Sequence, residues 1–257
     1  MFLFFLLLTL FLSTADADES GDITRVWENE IFGVGDYFEF SIDYKFINAG
    51  TAVMSIDTVT DVSGFLCYQM ISRVSSNKTF DIIFKVRDYI ETDIDVKGIF
   101  TRKFVKKLNE GHYKDDKVVY YEHEQGKAHL VSKGRYKKST SIPGCVQDIL
   151  SALFYVRTLD FNPGDTLSIN LHDIDKNYPL KVKVRRRENV EVPAGKFDCI
   201  VLEPFLESEG MFKSEGSINL WLTDDKYKIP VLMKTSILIG TIDARLQKYR
   251  LGKPYRE

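Results

Sequence analysis

The sequence contains few cysteines and few prolines, and it has no recognisable linker. Its 257 residues include 3 Cys and 7 Pro. Because the number of cysteines is odd, at least one thiol stays unpaired, and a scaffold built from several disulfides is excluded. We expect buried, unreactive thiols, and the sequence leaves open whether any two of Cys67, Cys145 and Cys199 form a disulfide. The lack of a Pro-, Gly- or Ser-rich stretch favours one domain.

The chain also lacks an excess of charge of either sign. It has 35 Lys and Arg against 37 Asp and Glu, which gives a formal net charge of −2. A balance this close to neutral provides no overall attraction to nucleic acid or to an anionic membrane. We therefore expect no nucleic-acid partner.

Long apolar runs are confined to the N-terminus. Residues 2–12 are almost entirely apolar, and Ala15-x-Ala17 follows as a small-residue cleavage site. The run is shorter than the roughly 20 residues of a transmembrane helix. It predicts a signal peptide over residues 1–17, a mature protein that begins at Asp18, and a periplasmic or secreted location, although the usual basic n-region is missing. A buried N-terminal strand or helix is the alternative.

The rest of the chain, residues 18–257, is predicted to form a single β-rich domain without a transmembrane segment. Aromatic residues make up 13% of the chain, and such residues suit pleated, half-buried strands. Short stretches with apolar residues at every second position, separated by turn signals, predict an antiparallel meander. The predicted strands are 37–44, 51–59, 65–74, 86–96, 100–108, 117–124, 128–132, 166–171, 180–192, 197–206, 217–222, 230–239 and 241–251.

One segment departs from the strand pattern. Residues 145–159 place apolar side chains three and four positions apart, which predicts a helix over Val146–Thr158. Apolar positions cover most of its circumference, so the helix should be enclosed, with Leu150 and Leu153 both in the core. The predicted fold is therefore mainly β: a highly curved antiparallel sheet, or incomplete β-barrel, wrapped around one central helix.

Polar residues of this helix are the candidate ligand-binding residues: Asp148, Tyr155 and Arg157. Polar groups on an enclosed helix must face a cavity, a partner or matching groups of the chain. For Asp148 the alternative is interaction with the free N–H groups and the positive dipole end of the helix.

Motifs that would indicate catalysis or metal binding are missing. The sequence has no Gly-x-Ser-x-Gly, no glycine-rich phosphate loop, no HExxH and no paired CxxC. His123 and His129 flank a predicted turn at Gln125–Gly126 and could hold zinc, but exposed hairpin side chains are the simpler interpretation. Cys145 has no neighbour in the sequence that would activate it as a nucleophile. We therefore expect no enzymatic activity, no cofactor and no bound metal.

Two predicted strands carry charge of one sign at alternate positions. The cationic set is Lys181, Lys183, Arg185 and Arg187, and the anionic set is Glu91, Asp93 and Asp95. Each set should project from one face of its strand. The cationic set could contact lipid head groups or anionic glycans, and the alternative is that both faces are solvated and discourage aggregation.

Several ordered stretches resemble a known family. Val34–Ala52, Val146–Asp165, Val190–Pro204 and Ile218–Leu246 resemble the bacterial exported proteins grouped as domain of unknown function 3108. The resemblance covers nearly all of the mature chain. It implies export and a shared fold, but no particular activity.

A hairpin carries a second resemblance. Leu220–Asp225 followed by Ile229–Val231 is similar to a hairpin of the periplasmic lipoprotein carriers and their outer-membrane acceptors. That resemblance implies an incomplete β-barrel with a helical lid or plug around an apolar cavity for acyl chains.

Two functions fit these observations. The first is an exported, non-catalytic protein that binds or carries a lipophilic ligand in the periplasm. The alternative is a cell-envelope scaffold or protein-interaction module without a small-molecule ligand. A lined cavity of several hundred Å³ would favour the first, and a filled core the second. We expect a monomer in either case.

Overall fold

The computed structural model describes residues 25–206, 218–237 and 240–256. The predicted signal peptide over residues 1–17 lies outside this part of the chain. Fourteen strands account for most of the described residues. They are β1 Tyr37–Tyr44, β2 Ile47–Val62, β3 Phe65–Ser76, β4 Arg87–Asp95, β5 Thr101–Glu110, β6 Tyr113–Glu122, β7 Lys127–Ser132, β8 Arg135–Ser141, β9 Thr166–Asp173, β10 Lys176–Val192, β11 Gly195–Leu206, β12 Ile218–Thr223, β13 Pro230–Ile237 and β14 Gly240–Arg250.

These strands form one antiparallel sheet that does not close. Their order is β8-β7-β6-β5-β4-β3-β2-β1-β14-β13-β12-β11-β10-β9. The first half of the chain forms a meander from β1 outward to β8. The chain then crosses to the other edge at β9 and returns strand by strand until β14 pairs with β1. Both halves of the chain therefore share one sheet, whose edges are β8 and β9.

A short helix α1 (Lys78–Asp81) lies between β3 and β4, and the central helix α2 (Ile149–Arg157) lies between the two edge strands in sequence. The sheet covers α2 from two sides. Leu150 and Phe154 pack in a cluster built mainly on β1–β7 and β12–β14. Ala152 and Val156 pack in a second cluster on β9–β12. The predicted curved antiparallel sheet around one central helix is confirmed.

Helix α2 begins later than predicted because the residues before it have other roles. Asp148 accepts hydrogen bonds from the backbone N–H groups of Leu150 and Ser151 at 2.7 and 3.1 Å, and so occupies the N-cap. Gln147 forms a parallel bridge with Leu171 of the edge strand β9. This bridge satisfies backbone groups that an open edge would expose.

Strand β8 was not predicted. Its sequence, Arg135–Ser141, is almost entirely polar, and the strand lies exposed along a sheet edge. An edge strand without a buried face has no hydrophobic alternation by which it could be recognised. Its far end is linked to the β9–β10 turn: Asn177 donates to the carbonyl of Ser141 at 2.8 Å, and Lys138 pairs with Asp175 at 2.6 Å.

The burial of residues along α2 predicts that truncating its two leucines lowers the free energy of unfolding by different amounts. Leu150 is buried, as expected, whereas Leu153 is only partly buried although it packs against both clusters. Leu150→Ala should therefore lower the free energy of unfolding by about 2–5 kcal/mol, through lost burial and a cavity. Leu153→Ala should cost about 1–2 kcal/mol, because less apolar area leaves water there. Urea denaturation of both variants checks this, and a Leu150→Ala protein as stable as the parent would contradict the enclosed helix.

Candidate functional site

Asp148 is fully buried, and protein groups occupy both of its carboxylate oxygens. Besides the two backbone N–H groups of the cap, the hydroxyls of Thr92 and Thr101 donate to Oδ2 at 2.5 and 2.6 Å. Burial raises the pKa of this carboxyl, while the hydrogen bonds act in the opposite direction. Asp148 thus makes the helix-cap contacts that the sequence offered as the alternative to ligand binding.

Arg157 lies at the other end of α2 and is also fully buried. It pairs with the buried carboxylate of Asp36, with 3.2 Å between Nη1 and Oδ2, and donates from Nε to the carbonyl of Tyr227 at 3.2 Å. Its Nη2 has no hydrogen-bond acceptor among the described residues. Three aromatic rings lie 4.9–5.9 Å from the guanidinium carbon: Phe32, Phe38 and Phe154. Ring faces attract a cation, so they partly compensate for the hydrogen bond that Nη2 lacks.

Tyr155 is covered by the N-terminal segment. The guanidinium of Arg25 lies 4.7 Å from its ring centroid, and Trp27 makes an edge contact at 5.5 Å. Asp148 and Arg157 lie about 14 Å apart along the helix axis, from a rise of 1.5 Å per residue. The structure therefore does not bring the three candidate residues together.

A pocket lies away from these residues, toward the end of the sheet that carries the β1–β2 turn, the β3–β4 loop and the β5–β6 turn. We call this end the mouth. The pocket encloses only about 30 Å³, and the space reaches about 390 Å³ when the open solvent in front of it is included. Its lining is Phe40, Ala52, Met54, Ser72, Val74, Leu220, Pro230, Leu232, Met233 and Ala244.

The lining residues come from six strands that are neighbours in the sheet, β3-β2-β1-β14-β13-β12. Ser72 is the one polar residue among them. Ala52 is paired with Phe40 across β1 and β2, and Ala244 lies on the other side of β1. These small side chains leave room that larger ones would fill. This pocket could not be predicted from the sequence, because its residues alternate along their strands in the same way as core residues do.

Charged groups lie beside the pocket at the mouth. Asp88 is the cross-strand neighbour of Val74, a lining residue. The carboxyls of Asp88 and Glu110 are both buried and share a hydrogen bond. Nearby on β5, the buried Lys106 pairs with the buried Asp173 of β9 at 3.6 Å. The inner surface at the mouth is therefore apolar on one side and polar on the other.

Burial raises the pKa of both Asp88 and Glu110, because charged carboxylates lose their hydration. The two groups also repel when both are ionised, so they titrate as a pair that retains a proton above the usual carboxyl range.

The predicted cationic strip on β10 is wrong. A bulge at Arg185 shifts the register, so Lys181 pairs with Phe205 while Arg187 pairs with Ile200. Phe205 and Ile200 are an odd number of residues apart and face opposite sides of the sheet. The cations also have partners: Arg185 pairs with Glu203, and Arg187 with Asp224.

The anionic residues of β4 are buried rather than solvated. Lys103 pairs with Glu91 at 2.7 Å and with Asp93 at 3.1 Å, and Arg102 pairs with Asp95 at 2.9 Å. Burial raises the pKa of Asp93 to about 6 despite Lys103. These residues form an ion-pair network on the outer face of β4 and β5.

The structure does not bring His123 and His129 together. His123 was expected to be exposed but is buried, where its Nε2 donates to the carbonyl of Thr101 at 2.7 Å, and burial lowers its pKa to about 4. His129 instead contacts Glu122 at 3.2 Å on β6. Among the described residues no three His, Cys, Asp or Glu side chains form a metal-binding group.

The three cysteines form no disulfide with one another. Cys67 and Cys199 are buried, and Cys145 is partly buried. Burial raises the pKa of Cys199 to about 12, and a thiol without thiolate character is a poor nucleophile.

Comparison with known proteins identifies a family and a fold. The model of the family described as "Protein of unknown function (DUF3108)" matches residues 39–247. A comparison with curated proteins found no match. Among solved structures, a β-barrel-like protein of the domain of unknown function DUF1849 from Brucella abortus superposes with a TM-score of 0.60 at 13% identity, covering 87% of this chain and 100% of that chain. This likeness shows the fold alone.

A second solved structure is more distant. A Bacteroides fragilis protein with a YmcC-like fold gives a TM-score of 0.32 at 12% identity, covering 86% of this chain and 99% of that chain.

Within the described part of the chain, no helix is long and apolar enough to cross a membrane.

The carboxyl pair at the mouth predicts a pH dependence. In the folded protein Asp88 and Glu110 hold a proton that the unfolded chain releases near pH 4.3, the ordinary Glu value. The folded state therefore binds more protons above that pH, and its stability falls as the pH rises. From pH 5 to pH 8 the free energy of unfolding of the parent should fall. In Glu110→Gln this fall should be smaller by about 1–3 kcal/mol. Urea denaturation at both pH values measures this, and an identical loss in parent and variant would contradict it.

Proposed function

Since the chain belongs to the DUF3108 family of proteins of unknown function, its role must be inferred from its own residues, and we propose that it is an exported, non-catalytic protein that binds a lipophilic ligand. Export is supported by the apolar run and small-residue cleavage site within residues 1–17. The absence of catalytic motifs from the sequence supports a binding role.

The apolar pocket at the mouth is the observation that carries this proposal. Its enclosed space of about 30 Å³ lies well below the roughly 300–1,000 Å³ that is usual for small-molecule sites, so a ligand would occupy mainly the open part of the pocket. Met54 and Met233 are flexible and adapt to apolar chains of different shape. An alkyl or acyl chain fits such a lining, because its burial requires no hydrogen-bond partner.

The polar side of the mouth supports an amphiphilic ligand. Asp88 lies next to Val74, so a molecule whose apolar part contacts the pocket brings its polar end close to the Asp88–Glu110 pair. A neutral or cationic polar group suits this position better than an anionic one, because two carboxyls already share one proton there.

A scaffold role is the second candidate, and it is favoured by the small enclosed volume of about 30 Å³ and by the partners of the helix residues. Asp148 and Arg157 have partners inside the chain, as expected if α2 only fills a core. The scaffold role makes no use of the open pocket, however.

Filling the pocket tests the proposal. Ala244→Leu should weaken binding of a dansyl-labelled fatty alcohol at least about tenfold, because the added methylenes occupy the space of the ligand, and urea denaturation checks that the variant stays folded. Ala194→Leu is the matched control: Ala194 is partly buried in the β10–β11 turn and does not line the pocket. Fluorescence titration and native mass spectrometry of the exported protein provide the measurements. No binding by the parent, or equal binding by Ala244→Leu, would overturn the pocket as a ligand site.

A further inference from the structure

We propose that the mouth of the sheet docks onto a lipid bilayer with anionic head groups. Two loop tips make the contact. The first is the β1–β2 turn with Phe46 and Ile47, and the second follows helix α1 and carries Ile82 and Ile83. The proposal concerns the outer rim of the mouth, so it does not depend on whether the pocket holds a ligand.

The four apolar side chains are unusually exposed. Their exposed fractions are 96% for Phe46, 63% for Ile47, 87% for Ile82 and 79% for Ile83. Single exposed apolar residues are common on protein surfaces, but a group of large ones at one place marks an interaction site.

Hydrogen bonds hold the two tips at the same place. The backbone N–H of Asn77, the N-cap of α1, donates to the carbonyl of Ala49 at 2.9 Å, and its Nδ2 donates to the carbonyl of Asn48 at 2.7 Å. The second loop is also tied to the β5–β6 turn, since Gly111 donates to the carbonyl of Lys85 at 2.7 Å. The antiparallel order β4-β3-β2-β1 places both connections at the same end of the sheet.

The first tip has a residue that its backbone does not favour. Tyr44 and Ile47 are paired across β1 and β2, which leaves a two-residue turn at Lys45 and Phe46 with φ of 47° and 72°. Two positive φ angles define the type I′ turn, which strongly prefers Asn-Gly. A large aromatic residue is a conformational outlier there. The turn itself therefore does not explain a phenyl ring at this position, whereas insertion of the ring into a lipid bilayer does.

Charge near the tips fits an anionic surface. Three exposed lysines flank the apolar residues: Lys45, Lys78 and Lys85. The carboxylates closest in sequence are engaged by arginines, since Asp81 pairs with Arg87 at 2.6 Å and Asp43 with Arg245 at 3.5 Å. Apolar side chains next to lysines are the combination that binds at the interface of anionic membranes.

A bilayer fits these tips better than a folded partner does. A protein interface surrounds its apolar centre with a rim that excludes water. A ring that is 96% exposed has almost no neighbouring surface to provide such a rim. A lipid bilayer needs none, because its own acyl region closes around an inserted side chain.

Vesicle sedimentation tests the proposal on the exported protein, checked by mass to lack the apolar run of residues 2–12. The vesicles contain phosphatidylethanolamine and phosphatidylglycerol. Phe46→Asn and the double variant Ile82→Ser/Ile83→Ser should each weaken binding about tenfold. Phe46→Asn should not unfold the protein, because Asn suits the positive φ. Val26→Ser is the control: Val26 is 78% exposed, but the next residue, Trp27, donates to the carbonyl of Lys97 in the β4–β5 loop, at the opposite end of the sheet.

Insertion depth provides a second readout. Phe46→Trp should be quenched by brominated lipids, whereas the parent, whose two Trp residues are Trp27 and Trp221, should be quenched much less. Binding that weakens with salt and with the tip substitutions, but not with Val26→Ser, supports membrane docking. A folded parent that stays in the supernatant, tip variants that bind like the parent, or equal loss in Val26→Ser would overturn it.

Discussion

The buried ion pair between Arg157 and Asp36 fixes the position of the central helix, and much of the fold depends on it. Low polarity disfavours both charges: it lowers the pKa of Arg157 and raises that of Asp36. Each charge is tolerated because the other is present. Asp36 also accepts a hydrogen bond from the backbone N–H of Gly252 at 2.6 Å. The pair therefore ties α2 to the residue before β1 and to the chain just after β14.

The two ends of α2 are held by different means. Asp148 is held by hydroxyls of β4 and β5, and Arg157 by the N-terminal end of β1 and the β12–β13 turn. The helix thus spans the interior between the two halves of the sheet. With the helix fixed toward one end, the interior at the mouth keeps an apolar pocket beside a polar surface. The same packing that gives Asp148 and Arg157 partners inside the chain leaves an apolar pocket elsewhere.

Strands with a buried face and the enclosed helix could be predicted from the sequence. Apolar residues at every second position indicate a half-buried strand, and apolar residues three and four positions apart indicate a buried helix face. Strand β8 could not, since Arg135–Ser141 has no buried face. The bulge at Arg185 was also missed, because a one-residue shift in register leaves no mark on the local pattern.

The candidate site was harder to predict. Asp148, Tyr155 and Arg157 were correctly recognised as polar groups on an enclosed helix, but the sequence does not say whether such groups face a cavity or partners of the chain. That depends on residues as distant as Asp36 and Thr92. The mouth pocket depends on six strands from both halves of the chain. Its existence depends on which inward positions carry small side chains in three dimensions, such as Ala52 and Ala244.

Arg157→Met provides the most direct test of whether the helix is structural while the mouth binds ligand. Removing one partner of a buried pair leaves an uncompensated charge, so the free energy of unfolding should fall by about 3–5 kcal/mol. The fraction of the variant that remains folded should bind the dansyl-labelled fatty alcohol with the affinity of the parent. A variant that keeps its stability but loses binding of the fatty alcohol would contradict the account, and would place the ligand at Arg157 instead of at the mouth.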